Sequence, residues 1–224
     1  GRRAAKLPTI DVEMPPSPIG RNTVHDTKKH GWLSLQRIVK YSSNIGAVKI
    51  GETIGAETLH DTLQRFGFGR PTGIDLPGES AGRVASRELK QEQWEQRSDD
   101  WCRRAEEGYP EIADRERARY LQRLAEENCV DGMRWRVGDA LNAAIGQGDT
   151  AATVLQMAVA YAAVANGGTL WRPRVARAML AADGTVAEEF GPEAVDRLDV
   201  PDEDLAYLRR ALRGVIENGT ARRP

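Results

Sequence analysis

Tyr41-Ser42-Ser43-Asn44-Ile45-Gly46 breaks a helical apolar pattern in two, and Ile145-Gly146-Gln147-Gly148-Asp149, about a hundred residues on, leads into the most apolar helix of the chain. The first stretch holds an S-x-N tripeptide between helices. Upstream, Leu35, Ile38 and Val39 make a short apolar face, with Ser34 placed to cap it. Downstream, Ile45, Val48 and Ile54 resume the helical spacing, and Leu59, Leu63 and Phe66 stand at i, i+4 and i+7 before Gly67. Helix, polar kink, helix, helix predicts an all-α unit beginning at Trp32. As a bare tripeptide, Ser42 and Asn44 read as ordinary N-cap residues for a helix starting at Ile45.

The second stretch opens residues 150–165, where Val154, Leu155, Ala158, Tyr161 and Ala162 are predicted on the buried side and Asn166-Gly167-Gly168 stops the helix. Two strands are predicted beyond it, at about residues 174–180 and 185–190, joined by Asp183-Gly184 as a hairpin turn. The last helix covers about residues 202–217. Pro201 sits near its first turn beside three acids, and Leu205, Leu208, Leu212 and Val215 face the core. A glycine- and proline-rich loop spans residues 67–82. The polar stretch at 83–136 holds one exposed helix, at 113–128, with Tyr120, Leu121 and Leu124 as its thin apolar stripe. Residues 1–31, with Pro8, Pro15, Pro16 and Pro18, read as extended chain. The sum is an α+β chain whose sheet is only partly represented.

Charged residues make up 29% of the 224, with a formal net charge of -1. That balance gives no electrostatic footing for nucleic acid or for an anionic membrane surface. No apolar stretch follows Gly1-Arg2-Arg3-Ala4-Ala5-Lys6, so no signal peptide is read there, and residues 151–165 are too short to span a bilayer. His25, His30 and His60 read as surface residues. With Cys102 and Cys129 they form no metal-ligand spacing, so neither metal nor cofactor is expected. The two cysteines are either unrelated thiols or a disulfide. A disulfide closing that loop is worth about 3–4 kcal/mol in chain entropy and requires an oxidising compartment.

Several segments, in their order and spacing, resemble the class B penicillin-binding proteins, the peptidoglycan D,D-transpeptidases. They are Leu35 through Gly46, Phe66-Gly67-Phe68-Gly69, Thr72-Gly73-Ile74-Asp75-Leu76-Pro77-Gly78-Glu79, Gly138-Asp139-Ala140-Leu141-Asn142, Ile145-Gly146-Gln147-Gly148, Ala165-Asn166-Gly167-Gly168 and Glu217-Asn218-Gly219-Thr220-Ala221. The resemblance implies the penicilloyl-serine transferase fold, an antiparallel sheet covered by helices plus an all-α subdomain. Residues 1–224 would be part of one such domain: an extended segment at 1–31, the S-x-N part at 32–82, a charged insertion at 83–136, and helix, hairpin and C-terminal helix at 137–224. The implied partners are the D-Ala-D-Ala end of a peptidoglycan stem peptide, β-lactams, and glycosyltransferase and divisome or elongasome membrane proteins. The implied place is the extracytoplasmic face of the bacterial inner membrane, with an N-terminal anchoring helix outside this chain. That setting favours the disulfide reading of Cys102 and Cys129.

The chemistry of the resemblance turns on a serine that is acylated, releases D-Ala, and is resolved by an amine of a neighbouring stem. A serine hydroxyl needs a nearby base to act as a nucleophile, and in the family the lysine of an S-x-x-K motif fills that role. The S-x-N serine, here Ser42, relays the proton toward the leaving amine. The S-x-N asparagine, here Asn44, offers an amide that can donate and accept at once, holding the substrate and orienting the lysine. Ser43, the variable middle position, receives no role. Gln147 and Gly148 are candidate substrate contacts or a tight structural turn. Asp75 and Glu79 read as loop structure.

The departure from the family is plain. Ser17, Ser34, Ser42, Ser43, Ser80, Ser86 and Ser98 all lack a lysine three residues later, and no Lys-Thr-Gly occurs. The S-x-x-K would precede the S-x-N and the K-T-G would follow Gly219-Thr220-Ala221, so the chain is expected to be a fragment, inactive by itself. The rivals are a non-catalytic scaffold of the cell-wall machinery and a D,D-carboxypeptidase or β-lactamase-like relative.

Overall fold

The computed structural model describes residues 9–12 and 24–222. Pro8, Pro15, Pro16 and Pro18, on which the extended N-terminal reading rested, lie outside the described residues. Thr9–Asp11 (β1) pairs antiparallel with Trp32–Ser34 (β2), placing Ile10 opposite Leu33. The all-α unit therefore does not begin at Trp32. Exposed Trp32 and buried Leu33 follow the period of two of a strand before the helical period takes over.

Ser34 ends that strand and caps Leu35–Tyr41 (α1), its Oγ accepting from the Arg37 N–H at 3.4 Å. Asn44–Ile54 (α2) and Ala56–Arg65 (α3) follow, as the spacing predicts. The charged stretch holds two helices, Arg87–Glu107 (α4) and Arg115–Asp131 (α5), where the sequence predicts one. The 21 residues of α4 carry few apolar side chains, so periodicity does not reveal it. Its caps and its partner hold it instead. Ser86 Oγ accepts from the Leu89 N–H at 3.0 Å, and Trp94 Nε1 donates to the Asn128 carbonyl at 2.9 Å. A Cys102–Cys129 disulfide then staples the pair, with the Cα atoms 4.8 Å apart.

Val137–Ala144 (α6) and Val154–Asn166 (α7) complete the middle of the chain. Beyond them run Thr169–Trp171 (β3), Ala178–Leu180 (β4), Val186–Glu189 (β5), Ala194–Arg197 (β6) and Asp202–Asn218 (α8). β4 and β5 form the predicted hairpin, each shorter than expected, and this hairpin is nested between β3 and β6, which also pair antiparallel. The outer pair is absent from the sequence reading because β6 is exposed along its whole length and shows no apolar alternation.

Among the described residues, two apolar clusters form much of the core. Ala163, Leu170, Leu198 and Leu205 gather Phe66, Val159 and Val200 between α7, β3 and α8. Val12, Leu33 and Ile38 gather Ile10, Tyr41, Ile45 and Ile50 around β2, α1 and α2. α8 spans both: the Tyr207 hydroxyl accepts from the Gln36 N–H at 2.8 Å, and Arg209 Nη1 donates to the Val164 carbonyl at 3.0 Å.

The buried side of α7 is not the predicted one. Val154 is 87% exposed, Tyr161 53% exposed, Ala158 and Ala162 are also exposed, and only Leu155 is half-buried. Gln156, Ala160, Ala163 and Val164 face inward. A helix apolar on every side has no hydrophobic phase to read, and a polar residue decides which face goes in. Gln156, 1% exposed, donates to the carbonyls of Arg70 and Ala81, each at 2.8 Å, and accepts from the Thr153 N–H at 2.9 Å.

Candidate functional site

Two helix ends meet back to back at the S-x-N. α1 closes with Ser42 in the left-handed region (φ 52°), its N–H directed at the carbonyls of Ile38 and Val39. The Ser43 N–H reaches back to the Ile38 carbonyl at 3.0 Å, which completes the C-terminal cap. Ser42 is the one non-glycine residue with positive φ among the described residues. Glycine is the usual occupant of such a position, and a side chain there costs about 1 kcal/mol.

Ser43 immediately starts α2. Its Oγ accepts from the Gly46 N–H at 3.0 Å and donates to Asp26 Oδ2 at 2.6 Å, while Asp26 Oδ1 accepts from the Ile45 N–H at 3.0 Å. Asn44 Nδ2 donates to the His25 carbonyl at 3.1 Å. The cap is thus Ser43, not Ser42 or Asn44 as the bare tripeptide suggests, and Asn44 is the first helical residue. The consequence is a division of labour: Ser43 is buried, Ser42 is exposed and Asn44 is half-buried. Gly46 makes the corner tight, since a Cβ there would lie 2.7 Å from Ile38 Cγ1.

Ser42 and Asn44 border a groove of about 340 Å³ with walls from Val39, Ile54, Leu59 and Ala144. α6 forms one of those walls because Gly51 lets it approach; a Cβ at Gly51 would lie 2.6 Å from the Ala144 Cβ. Ile145 lines the groove too, and the Gly146-Gln147-Gly148 turn leaves from it. Both glycines have positive φ, 71° and 82°, and the Gln147 N–H folds back onto the Asn142 carbonyl at 2.9 Å. Gln147 and Gly148 are exposed just past the groove, not in its wall. The geometry therefore brings Ser42, Asn44 and the Ile145 end of the turn together.

Asp75 and Glu79 are occupied elsewhere. Asp75 accepts from the Val175 and Ala176 N–H groups at 2.8 and 3.0 Å, which holds its carboxyl below the ordinary aspartate value. Glu79 accepts from the Thr72 hydroxyl and N–H, each at 2.6 Å, and from the Gly73 N–H at 2.9 Å; these bonds, the Thr72 hydroxyl first, lower its carboxyl likewise. The histidines differ from the surface reading in two of three cases. His25 is exposed, but half-buried His30 stacks on Tyr41 at 5.0 Å, and half-buried His60 pairs through Nδ1 with the Ala85 carbonyl at 3.2 Å. Among the described residues no cluster of His, Cys, Asp or Glu is placed to hold a metal ion, and no helix is long and apolar enough to cross a membrane.

Residues 6–223 match the family described as the penicillin binding protein transpeptidase domain. The chain belongs to that family. A mycobacterial relative, penicillin-binding protein PbpB of Mycobacterium tuberculosis, is 30% identical over 201 residues, covering 89% of this chain and 22% of the relative. The peptidoglycan D,D-transpeptidase MrdA of Acinetobacter baumannii is 28% identical over 199 residues, covering 88% and 24%. Among solved structures, penicillin-binding protein PBP2 of Helicobacter pylori superimposes with a TM-score of 0.66 at 27% identity, covering 98% of this transpeptidase chain and 33% of that one. Penicillin-binding protein 3 of M. tuberculosis, complexed with aztreonam, gives 0.62 at 26% identity, covering 97% and 38%. The fold is therefore the penicilloyl-serine transferase fold of the class B penicillin-binding proteins. The chain spans about a quarter of the length of the curated relatives it matches.

Sequence reasoning missed Asp26 and Ser43 at this site. A serine can cap the N–H three residues on, but Ser42 and Asn44 meet the same condition, so the sequence does not single out Ser43. The tie to Asp26 crosses 17 positions, and no local pattern announces it.

Proposed function

We propose that this chain supplies the S-x-N side of the active site of a peptidoglycan D,D-transpeptidase of cell division or elongation. Its substrate is the D-Ala-D-Ala end of a stem peptide, and β-lactams acylate the same centre. The observation that carries the reading is the state of Ser42: an exposed hydroxyl, held in a left-handed conformation at about 1 kcal/mol of cost, at the mouth of an apolar groove. In this role Ser42 passes a proton between the base and the leaving amine, which needs a hydroxyl able to donate and accept at once. Asn44 presents its amide beside it, with one N–H on the His25 carbonyl to fix the rotamer. The apolar walls thin the water around the reacting acyl group, which strengthens each polar contact there.

The nucleophile and base belong to an S-x-x-K motif that these 224 residues do not contain. The working site is extracytoplasmic, the compartment in which a Cys102–Cys129 bond is stable. Partners are the membrane proteins of peptidoglycan assembly; the structure of H. pylori PBP2 with MreC offers a precedent in a relative.

The test is acylation by a fluorescent penicillin. The whole gene product is expected to gain one covalent adduct by intact mass, and Ser42→Ala to slow its formation by about 100-fold or more. The 224-residue chain alone is expected to gain none. A whole gene product that stays unlabelled, or a Ser42→Ala variant acylated at the wild-type rate, sinks the reading.

A further inference from the structure

We propose that Asp26 is a positioning residue for the S-x-N corner: its carboxylate latches the segment around His25 to the first turn of α2 and sets how Ser42 and Asn44 face the groove. For the chemistry it serves, the proposal rests on the transpeptidase reading above.

The argument starts from the pattern of contacts. His25 and Asp26 bind three consecutive residues: Oδ2 takes the Ser43 hydroxyl at 2.6 Å, the His25 carbonyl takes the Asn44 amide at 3.1 Å, and Oδ1 takes the Ile45 N–H at 3.0 Å. Four residues further on, His30 stacks on Tyr41 with the ring planes 9° apart. The same short segment therefore grips residues 41, 43, 44 and 45 and leaves Ser42 outward. A clamp that holds every neighbour of one exposed residue fixes that residue's orientation without touching it.

The carboxylate also orders the cap. Ser43 is 3% exposed, so water does not complete its hydrogen bonding. Its lone pair serves the Gly46 N–H, and its proton goes to Asp26. An acidic acceptor makes this hydrogen bond shorter and stronger than a neutral one would be, and its negative charge sits at the N-terminus of α2, where the helix dipole favours it. A serine cap alone would satisfy Gly46 but would leave the first turn of α2 untied to the segment around His25.

Two measurements test this, and their failures are separable. The first needs no activity. In the 224-residue chain, Asp26→Ala is expected to speed amide hydrogen exchange at Ile45 and Gly46 by about tenfold or more, while amides of α7 and α8 change by less than about twofold. Unaltered exchange at Ile45 overturns the latch. The second is penicillin acylation of the whole gene product. Asp26→Ala is expected to lower the acylation rate constant by about 10- to 100-fold, leaving the affinity of the initial non-covalent complex within about twofold. A loss in affinity with an unchanged rate constant, or no loss, overturns the positioning role. Should Asp26→Ala not fold, Ser43→Ala and Asp26→Asn take its place. Each is expected to show a smaller effect of the same kind, and the double variant about the effect of the larger single one, whereas additive losses overturn the proposal. If the wild-type protein is not acylated at all, it is the transpeptidase reading that falls, and hydrogen exchange alone decides the latch.

Discussion

The S-x-N corner and the start of α7 are built on the same plan and put it to opposite uses. In each, a hydroxyl caps the helix: Ser43 accepts from Gly46, and Thr153 accepts from Gln156, both at 3.0 Å. In each, a polar side chain ties the helix start to a distant segment. At α7 the tie is Gln156 itself, pointing inward and bonded to Arg70 and Ala81. At α2 the tie is Asp26, arriving from outside the helix, and the residue beside the cap is left exposed. A tie made from within closes a joint. A tie made from outside leaves the corner facing solvent.

The comparison is broken most forcefully at Gln156. Gln156→Leu keeps the volume and removes three hydrogen bonds, leaving two carbonyls and one N–H beside a buried apolar side chain. At about 1–3 kcal/mol for each group left without a partner, less what water recovers at the loop edge, the loss is about 3–5 kcal/mol. Chemical denaturation measures it. A loss below about 1 kcal/mol would mean the α7 joint is held by its apolar contacts and not by the amide.

The α4–α5 pair sets a scale, since it is tied chiefly to itself. Opening Cys102–Cys129 releases a loop with a sequence separation of 27, worth about 3.5 kcal/mol in the chain-entropy account. Melting with and without reductant is expected to differ by about 7–14 °C for a domain of this size. Hydrogen exchange at Ile45 should be unaffected by the reductant until the chain unfolds as a whole.

The corner itself is weaker. Ser43→Ala removes one cap and the partner of Asp26, for a loss of about 1–2 kcal/mol. The contrast with Gln156 collapses if the two substitutions cost the same.

These two corners also show how far the amino-acid sequence could be read. The helices around Ser42 and the end of α7 at Gly167 follow from apolar spacing and glycine stops, and they were legible. The buried face of α7 was not, because Val154, Ala158 and Tyr161 look as apolar as Ala160 and Val164, and the deciding residue is a glutamine whose partners lie 75 and 86 positions away. The sequence does not separate the cap at Ser43 from its neighbours, since three adjacent polar residues all suit a cap and only the backbone angles choose between them. Helix α4 was missed for want of apolar residues. What periodicity and punctuation write down is local; what side-chain amides and carboxylates tie together is not.

Acid sharpens the comparison without mutation. Glu79, bonded by Thr72 and Gly73, keeps the 67–82 loop in the shape that meets Gln156, and its carboxyl lies below its ordinary value of 4.5. A group lowered in the folded state contributes stability that is present above the unfolded pKa and is lost as pH falls through the folded one. Melting temperature should therefore decline in acid below that range. In Glu79→Gln it should start a few degrees lower at neutral pH and decline less, the gap to wild type narrowing with acid. A gap that stays constant with pH would assign the loop's rigidity to the glycines and prolines alone.

The smallest expected effect has the opposite sign. Ser42→Gly relieves the left-handed strain, worth about 1 kcal/mol, but gives the unfolded chain more freedom, worth about 0.4–1 kcal/mol. The net is a change between about zero and +0.5 kcal/mol, detectable as an unchanged or slightly higher melting temperature. Ser42→Ala keeps the strain and gains nothing. If Ser42 were only the end of α1, glycine would serve there as well as serine or slightly better. Acylation of the whole gene product then separates the two explanations: a Ser42→Gly protein that is as stable as wild type or more so, yet acylated about 100-fold more slowly, shows that the hydroxyl is kept for chemistry at a structural disadvantage. A Ser42→Gly protein that is clearly destabilised would show the reverse, a serine retained for a bond its side chain makes in the fold, and would remove the difference between this corner and the start of α7.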